Sequence, residues 1–201
     1  MKKERKVYLI SNGDYRDSAN IKTWAKQEET LRSLRAAFRK LGVSAEVITK
    51  YDAKRKHGFL TKQCEGTAAF SKIEPDAPVV IVLSVWAYSH HVAGPLMTHK
   101  GPILLLANFD GTYPGLVALL NHSATLDRLN VKHSRIWTED FAKDDVFMGR
   151  LAEWLKGGSI KYSTAHLTDG NRVKLSAAAR KLGKELAADI LKERDRKSTR
   201  L

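Results

Sequence analysis

Five short apolar runs, separated by longer stretches of helical periodicity, constrain the fold of this chain more than any other feature of its sequence. The two most apolar runs, "VVIVLS" (79–84) and "PILLLAN" (102–108), have no polar face. Such runs are typical of central strands in a parallel sheet, where helices cover both faces. The runs "VYLIS" (7–11), "AEVIT" (45–49) and "HSRIWT" (133–138) predict three further strands.

Apolar residues at helical spacing fill the intervals between these runs. The pattern is clearest after the first run, where Trp24, Leu31 and Phe38 fall on one face. Capping residues and glycines then set the expected ends. We predict helices from Ser18 or Asn20 to Gly42, over most of 54–73, over 116–129, and from Asp144 to Gly157-Gly158.

The alternation of strand and helix predicts an α/β three-layer sandwich for residues 1–158, with a five-stranded parallel sheet. This arrangement is flavodoxin-like or Rossmann-like. Residues 159–201 are predicted to form a connecting loop, a C-terminal amphipathic helix and a basic tail. The apolar stripe of that helix consists of Leu175, Ala179, Leu182, Leu186 and Ile190.

The composition is that of a globular domain: 201 residues, 43% hydrophobic and 28% charged. No apolar run approaches the roughly 20 residues of a membrane-spanning helix, and the N-terminal run is too short for a signal peptide. We therefore expect a cytoplasmic protein without a membrane partner. The single cysteine, Cys64, agrees with a reducing compartment and is expected to be buried.

The formal net charge of +13 suggests an acidic partner, but much of it lies in "KKERK" and "LKERDRKSTR" at the two ends. The sequence contains no zinc-finger or RNP signature, and no aromatics interleave with its basic residues. These features argue against a nucleic-acid partner. An assembly domain whose basic tail binds an acidic protein stays open as an alternative.

In an open parallel sheet, ligands bind beyond the carboxyl ends of the strands. The loops there are "NGDYR" (12–16), "VWAYSHH" (85–91), "ANFDGTYPG" (107–115) and "TEDF" (138–141). They combine aromatic rings with arginine, acids and amides, a mixture typical of sugar sites, although ordinary turns use several of the same residues. The third loop contributes Asn108 and Asp110 as candidate sugar-binding side chains.

Several sharper motifs are missing from the sequence. It has no G-x-G-x-x-G, no G-x-x-x-x-G-K-[ST] and no G-x-S-x-G, and Ser84 stands where a receiver domain needs an aspartate. His90 and His91 are adjacent and are expected to point in opposite directions on an extended segment. We therefore predict a structural role for them rather than a shared metal ion.

The stretches "NGDYR", "VWAYSHH" and 107–137 resemble the N-terminal domain of L-fucose isomerase-like proteins, a group that includes the L-arabinose and D-arabinose isomerases. The resemblance covers most of residues 7–158 and is best over 102–137. The chain has one residue fewer between Thr112 and Pro114 than the family pattern N-F-D-G-T-x-x-P-G.

The resemblance implies the first domain of a metal-dependent aldose–ketose isomerase that acts as a homo-oligomer. Arg16 and Trp86 would help to form the sugar pocket, and Tyr88 matches a neighbouring aromatic position. The catalytic divalent ion, usually Mn²⁺, and its ligands would lie in downstream domains, so this chain is expected to bind no metal and to be inactive alone. A stand-alone module that binds a small polyol or a phosphate is the alternative.

Overall fold

A computed structural model describes residues 6–141, 143–163 and 177–198. Its sheet has five parallel strands in the order β2-β1-β3-β4-β5, which confirms the predicted α/β fold. The strands are β1 (Lys6–Ser11), β2 (Ser44–Val47), β3 (Val79–Leu83), β4 (Ile103–Asn108) and β5 (Ser134–Thr138). The helices are α1 (Asp17–Lys40), α2 (Gln63–Phe70), α3 (His90–Thr98), α4 (Gly115–Arg128), α5 (Asp145–Gly157) and α6 (Ala177–Ser198).

Side chains from alternate strand positions enter two separate cores, because successive residues of a strand face opposite sides of the sheet. On one side, Leu104 and Leu106 of β4 pack in a cluster with residues of α1 and α5. On the other side, Leu105 packs in a cluster with residues of α2, α3 and α4. The central strands β3 and β4 are buried along their whole length, as their continuous apolar runs predict.

Three helix ends follow the sequence signals. Gly42 ends α1 and Gly158 ends α5, both with a φ of 72°, where a side chain would be strained. The carboxylate of Asp144 accepts a hydrogen bond from the backbone N–H of Phe147 and caps α5. The predicted N-terminal caps of α1 are wrong, since the helix begins at Asp17 and Asn20 lies inside it.

The helix predicted over 54–73 is much shorter than expected. Asp52 accepts hydrogen bonds from the backbone N–H groups of Lys54 and Arg55, and Lys56 adopts a φ of 58°. This local turn replaces the first two turns of the predicted helix, and α2 starts only at Gln63. Cys64 is exposed on α2, so the expectation that it is buried is wrong.

The chain divides into two compact units, Met1–Ile160 and Lys161–Leu201. The second unit contains α6, on which Leu182, Leu186 and Ile190 are exposed at four-residue intervals. Leu175 of the predicted stripe and the end of the basic tail lie outside the described residues. Within the part of the chain that the structure describes, no helix is both long enough and apolar enough to cross a membrane.

Candidate functional site

The carboxyl ends of β1 and β3 bring two of the predicted loops into direct contact. The side-chain Nδ2 of Asn12 donates to the carbonyl of Tyr88 at 3.0 Å, and the backbone N–H of Tyr88 donates to Gly13 at 3.4 Å. In a sheet of this strand order, the crossing directions reverse between β1 and β3. Ligands of open α/β sheets bind at such a switch point.

Arg16 is held at this point by a buried carboxylate. Its Nε donates to Oδ1 of Asp14 at 3.1 Å, and its Nη2 donates to Oδ2 at 2.6 Å. The side chain of Asp14 is 1% exposed, whereas that of Arg16 is 58% exposed. Burial alone would raise the pKa of Asp14, but the hydrogen bonds from Arg16 outweigh it and lower that pKa. The buried carboxylate of Asp14 therefore fixes the guanidinium of Arg16, whose remaining N–H groups face solvent.

Asp14 is itself fixed by Asn20, which explains why an amide lies inside α1. The Oδ1 of Asn20 accepts from the backbone N–H of Asp14 at 2.9 Å, and its Nδ2 donates to the Asp14 carbonyl at 2.7 Å. Both residues are fully buried. The loop after β1 is thus tied to the first turn of α1, and the orientation of Arg16 is set before any ligand arrives.

Four rings continue the surface from Arg16, and we call Tyr15, Arg16, Trp86, Tyr88 and His90 the rim cluster. The guanidinium carbon of Arg16 lies 5.6 Å from the ring centroid of Tyr15. The ring centroid of Tyr88 lies 5.3 Å from that of Tyr15, 5.9 Å from that of Trp86 and 5.7 Å from that of His90. The structure therefore brings Arg16, Trp86 and Tyr88 together on one side of the molecule.

The other two candidate residues, Asn108 and Asp110, belong to the loop after β4. Asn108 is buried, and its Oδ1 accepts from the backbone N–H of Asp110 at 3.0 Å. The carboxylate of Asp110 pairs with Lys26 of α1 at 2.7 Å and accepts from the backbone N–H of Thr112. These contacts fasten the loop to α1, and a role of either residue in sugar binding stays a prediction.

A buried polar floor lies beneath the rim cluster, and sequence reasoning did not find it. The Nδ1 of His122 lies 2.7 Å from the Ala118 carbonyl and must donate to it, so its Nε2 accepts from Nδ2 of Asn12 at 2.7 Å. The Oδ1 of Asn12 accepts from Nδ1 of His91 at 3.0 Å. Burial lowers the pKa of both histidines to about 4, which keeps them neutral near pH 7.

The expectation that His90 and His91 lie on an extended segment and point in opposite directions is wrong. The two residues lie in the first turn of α3, not on an extended segment, and their ring centroids are 4.6 Å apart. Asn12 is 79 residues from His91 and 110 residues from His122 in the sequence. The only signal of this network in the sequence was Asn12, a polar residue directly after β1, since no local pattern links positions this far apart.

Of the five residues of the rim cluster, only His90 is a common metal ligand. Among residues 6–141, 143–163 and 177–198, no group of three histidine, cysteine or acidic side chains is placed to hold a metal ion. The ring nitrogens of His122, and Nδ1 of His91, are already engaged in hydrogen bonds. The chemistry that the rim cluster offers is that of a guanidinium donor beside aromatic faces.

No family model matches the chain, and no curated protein matches it at a significant level. Its function is therefore argued from the geometry of the rim cluster. A guanidinium held by a buried acid can donate two hydrogen bonds to neighbouring oxygens. Aromatic faces beside it suit the apolar C–H surface of a sugar ring.

Proposed function

We propose that this chain is the N-terminal α/β domain of a metal-dependent aldose–ketose isomerase, and that the rim cluster forms part of its sugar pocket. The observation that carries the proposal is the row of neighbours at the switch point of the sheet, in which Arg16 lies against Tyr15, Tyr15 against Tyr88 and Tyr88 against Trp86. The resemblance of the same loops to L-fucose isomerase-like proteins supports a sugar rather than another polar ligand.

Each residue of the pocket has a defined task in this proposal. Arg16 donates hydrogen bonds to sugar hydroxyls from the N–H groups that Asp14 leaves unused, because Asp14 engages only Nε and Nη2. Trp86 covers an apolar face of the sugar, and Tyr88, in contact with both Trp86 and Tyr15, supports that wall. Asp14 touches no sugar and acts as a positioning residue.

The isomerisation itself is assigned to further domains of a homo-oligomeric cytoplasmic enzyme. In this class of reaction a divalent ion polarises the C1 and C2 oxygens of the sugar. In this proposal the ion and its ligands belong to those further domains, and this chain contributes binding and subunit contacts. It is expected to be inactive alone.

Titration of the ¹⁵N-labelled chain with L-fucose, L-arabinose and D-arabinose tests the proposal. We expect saturable shifts in the backbone amides of 13–16 and 86–88, with a dissociation constant weaker than about 1 mM because half of the pocket is missing. Arg16→Ala and Trp86→Ala should remove the shifts. Trp137→Ala is the control, since Trp137 is a more exposed tryptophan near the end of another strand, β5.

Three results would overturn parts of the proposal. Unchanged amides at the rim cluster with all three sugars would remove the carbohydrate assignment. Binding much tighter than about 1 mM would favour a stand-alone polyol-binding module. Ketose formation by this chain with Mn²⁺ would contradict the division of tasks between domains.

A further inference from the structure

A concave surface runs along the sheet edge, between α1 and the edge strand β2, and we call it the edge groove. It consists of a cavity of about 530 Å³ lined by Arg32, Arg35, Arg39 and 42–45, and an adjoining cavity of about 350 Å³. Arg32 and Arg35 line both cavities, so the two adjoin at these side chains. The edge groove shares no residue with the rim cluster.

Three arginines give one end of the edge groove a concentrated positive charge. Arg32, Arg35 and Arg39 lie three and four residues apart on α1, which places them on one face over a rise of about 10 Å. None of them forms an ion pair with an acid in the described part of the chain. Arg16 and Arg55, in contrast, are both paired with carboxylates. Unpaired guanidiniums lining one cavity suit a ligand with several phosphates.

The other end of the edge groove is aromatic. Trp24 and Tyr51 line the smaller cavity, and their ring centroids are 5.8 Å apart. Tyr51 is 52% exposed, so its ring is available for stacking. The buried indole Nε1 of Trp24 has no hydrogen-bond partner among the residues that the structure describes. An exposed tyrosine in a cavity of this kind suits an aromatic base.

Glu28 lies between these two ends. It lines the smaller cavity and stands one helical turn before Arg32 and one turn after Trp24. A carboxylate at this place can accept hydrogen bonds from ribose hydroxyls, as acids do in other nucleotide sites. Along α1 the groove therefore presents an aromatic end, an acceptor and then three guanidiniums, in the order base, ribose and phosphates.

From this order we infer that the edge groove binds a free nucleoside triphosphate, with the base at Tyr51 and the phosphates along Arg32, Arg35 and Arg39. A sugar phosphate has no aromatic base to stack on Tyr51. Inorganic polyphosphate would leave both Tyr51 and Glu28 without a contact. The site is independent of the sugar pocket and would stand if that proposal failed.

Calorimetric titration of the purified full chain with ATP, tripolyphosphate and adenosine, at fixed ionic strength, tests the inference. We expect one ATP to bind per chain, and adenosine and tripolyphosphate to bind with at least tenfold lower affinity. The double variant Arg35→Ala, Arg39→Ala should weaken ATP at least tenfold. Tyr51→Ala should weaken ATP severalfold and leave tripolyphosphate unchanged.

The matched control for charge is the double variant Arg128→Ala, Arg150→Ala, which removes two exposed arginines outside the groove and should leave ATP binding unchanged. Equal losses in both double variants would overturn the site in favour of diffuse attraction. If tripolyphosphate binds as tightly as ATP, and Tyr51→Ala does not change the affinity for ATP, the nucleoside is not part of the ligand. A single-stranded oligothymidylate that binds more tightly than ATP would replace the free nucleotide with a polynucleotide. Circular dichroism of each variant separates lost binding from lost folding.

Discussion

The rim cluster and the edge groove both offer guanidinium groups to solvent, but they hold them differently. Arg16 is fixed by the buried carboxylate of Asp14, whereas Arg32, Arg35 and Arg39 have no carboxylate partner in the described residues. A fixed arginine loses little side-chain entropy when it binds, but its charge is already balanced. An unpaired arginine keeps its whole charge and loses its freedom on binding. The first arrangement suits a neutral ligand in one orientation, and the second suits a polyanion.

The largest expected effect is that of Gly66→Ala, which should damage the rim cluster and spare the edge groove. A Cβ at Gly66 of α2 would overlap the backbone carbonyl of His91 in α3. Gly66→Ala should therefore lower the free energy of unfolding by about 3 kcal/mol, measured with urea, through overpacking. Sugar-induced shifts at the rim cluster should disappear, while ATP binding at the edge groove persists.

Gly149→Ala is the matched control for that variant. Gly149 lies in α5, and a Cβ there would meet no heavy atom within 4 Å. It should raise the free energy of unfolding by about 1 kcal/mol or less, because alanine is the better helix former. A Gly66→Ala variant as stable as Gly149→Ala would show that α2 and α3 are not closely packed at Gly66.

The second effect is a loss of stability in acid, which comes from His122 in the polar floor beneath the rim cluster. Burial holds the pKa of His122 at about 4, below the value of about 6.5 in the unfolded chain. The folded state therefore binds fewer protons between these values, and its stability is lost as the pH falls from 6.5 towards 4. At pH 5 we expect a loss of about 2 kcal/mol from His122. An NMR titration midpoint of its ring near 6.5 would contradict this prediction.

The third effect isolates the carboxylate that fixes Arg16. Asp14→Asn keeps one acceptor oxygen and loses the charge, so the free energy of unfolding should fall by about 1.5 kcal/mol at pH 7. Because the folded pKa of Asp14 is lowered, its contribution is present above about pH 4 and is lost as the pH falls further. The variant should show a shallower loss of stability in acid than the parent. Equal acid slopes would mean that the pair contributes nothing to folding.

The smallest effect is expected in the edge groove. Arg35→Ala removes an exposed side chain without an ion-pair partner in the described part of the chain, so the free energy of unfolding should change by less than about 0.5 kcal/mol. Urea unfolding measures this directly. A loss as large as that of Asp14→Asn would give Arg35 a structural role and would undo the contrast between the two regions.

Local patterns predicted most of the fold. The uninterrupted apolar runs of β3 and β4 specify buried central strands, and Gly42, Asp144 and Gly158 mark helix ends, because each signal acts within a few residues. The same signals misjudged 54–62 and omitted α3. At 54–62 a turn around Asp52 outweighs helical spacing, whereas α3 is a short helix that packs against α2 where Gly66 meets His91.

The loops of the candidate site could be chosen from the sequence, since parallel strands must end at one edge. The sequence did not reveal which side chains in them cooperate. Arg16 pairs with Asp14, whose backbone is anchored by Asn20, six residues away. Asp110 turns to Lys26 of α1 rather than to Tyr88, although both loops lie at the same edge.

The sequence by itself determined a parallel α/β sheet and the edge at which a ligand site would form, because apolar periodicity records burial locally. The tertiary structure alone decided that Asn12, His91 and His122 share one buried network. It also decided that Tyr51 and the arginines of α1 line one groove. Hydrogen bonds and cavities between distant segments depend on how helices pack, and no spacing in the chain encodes them.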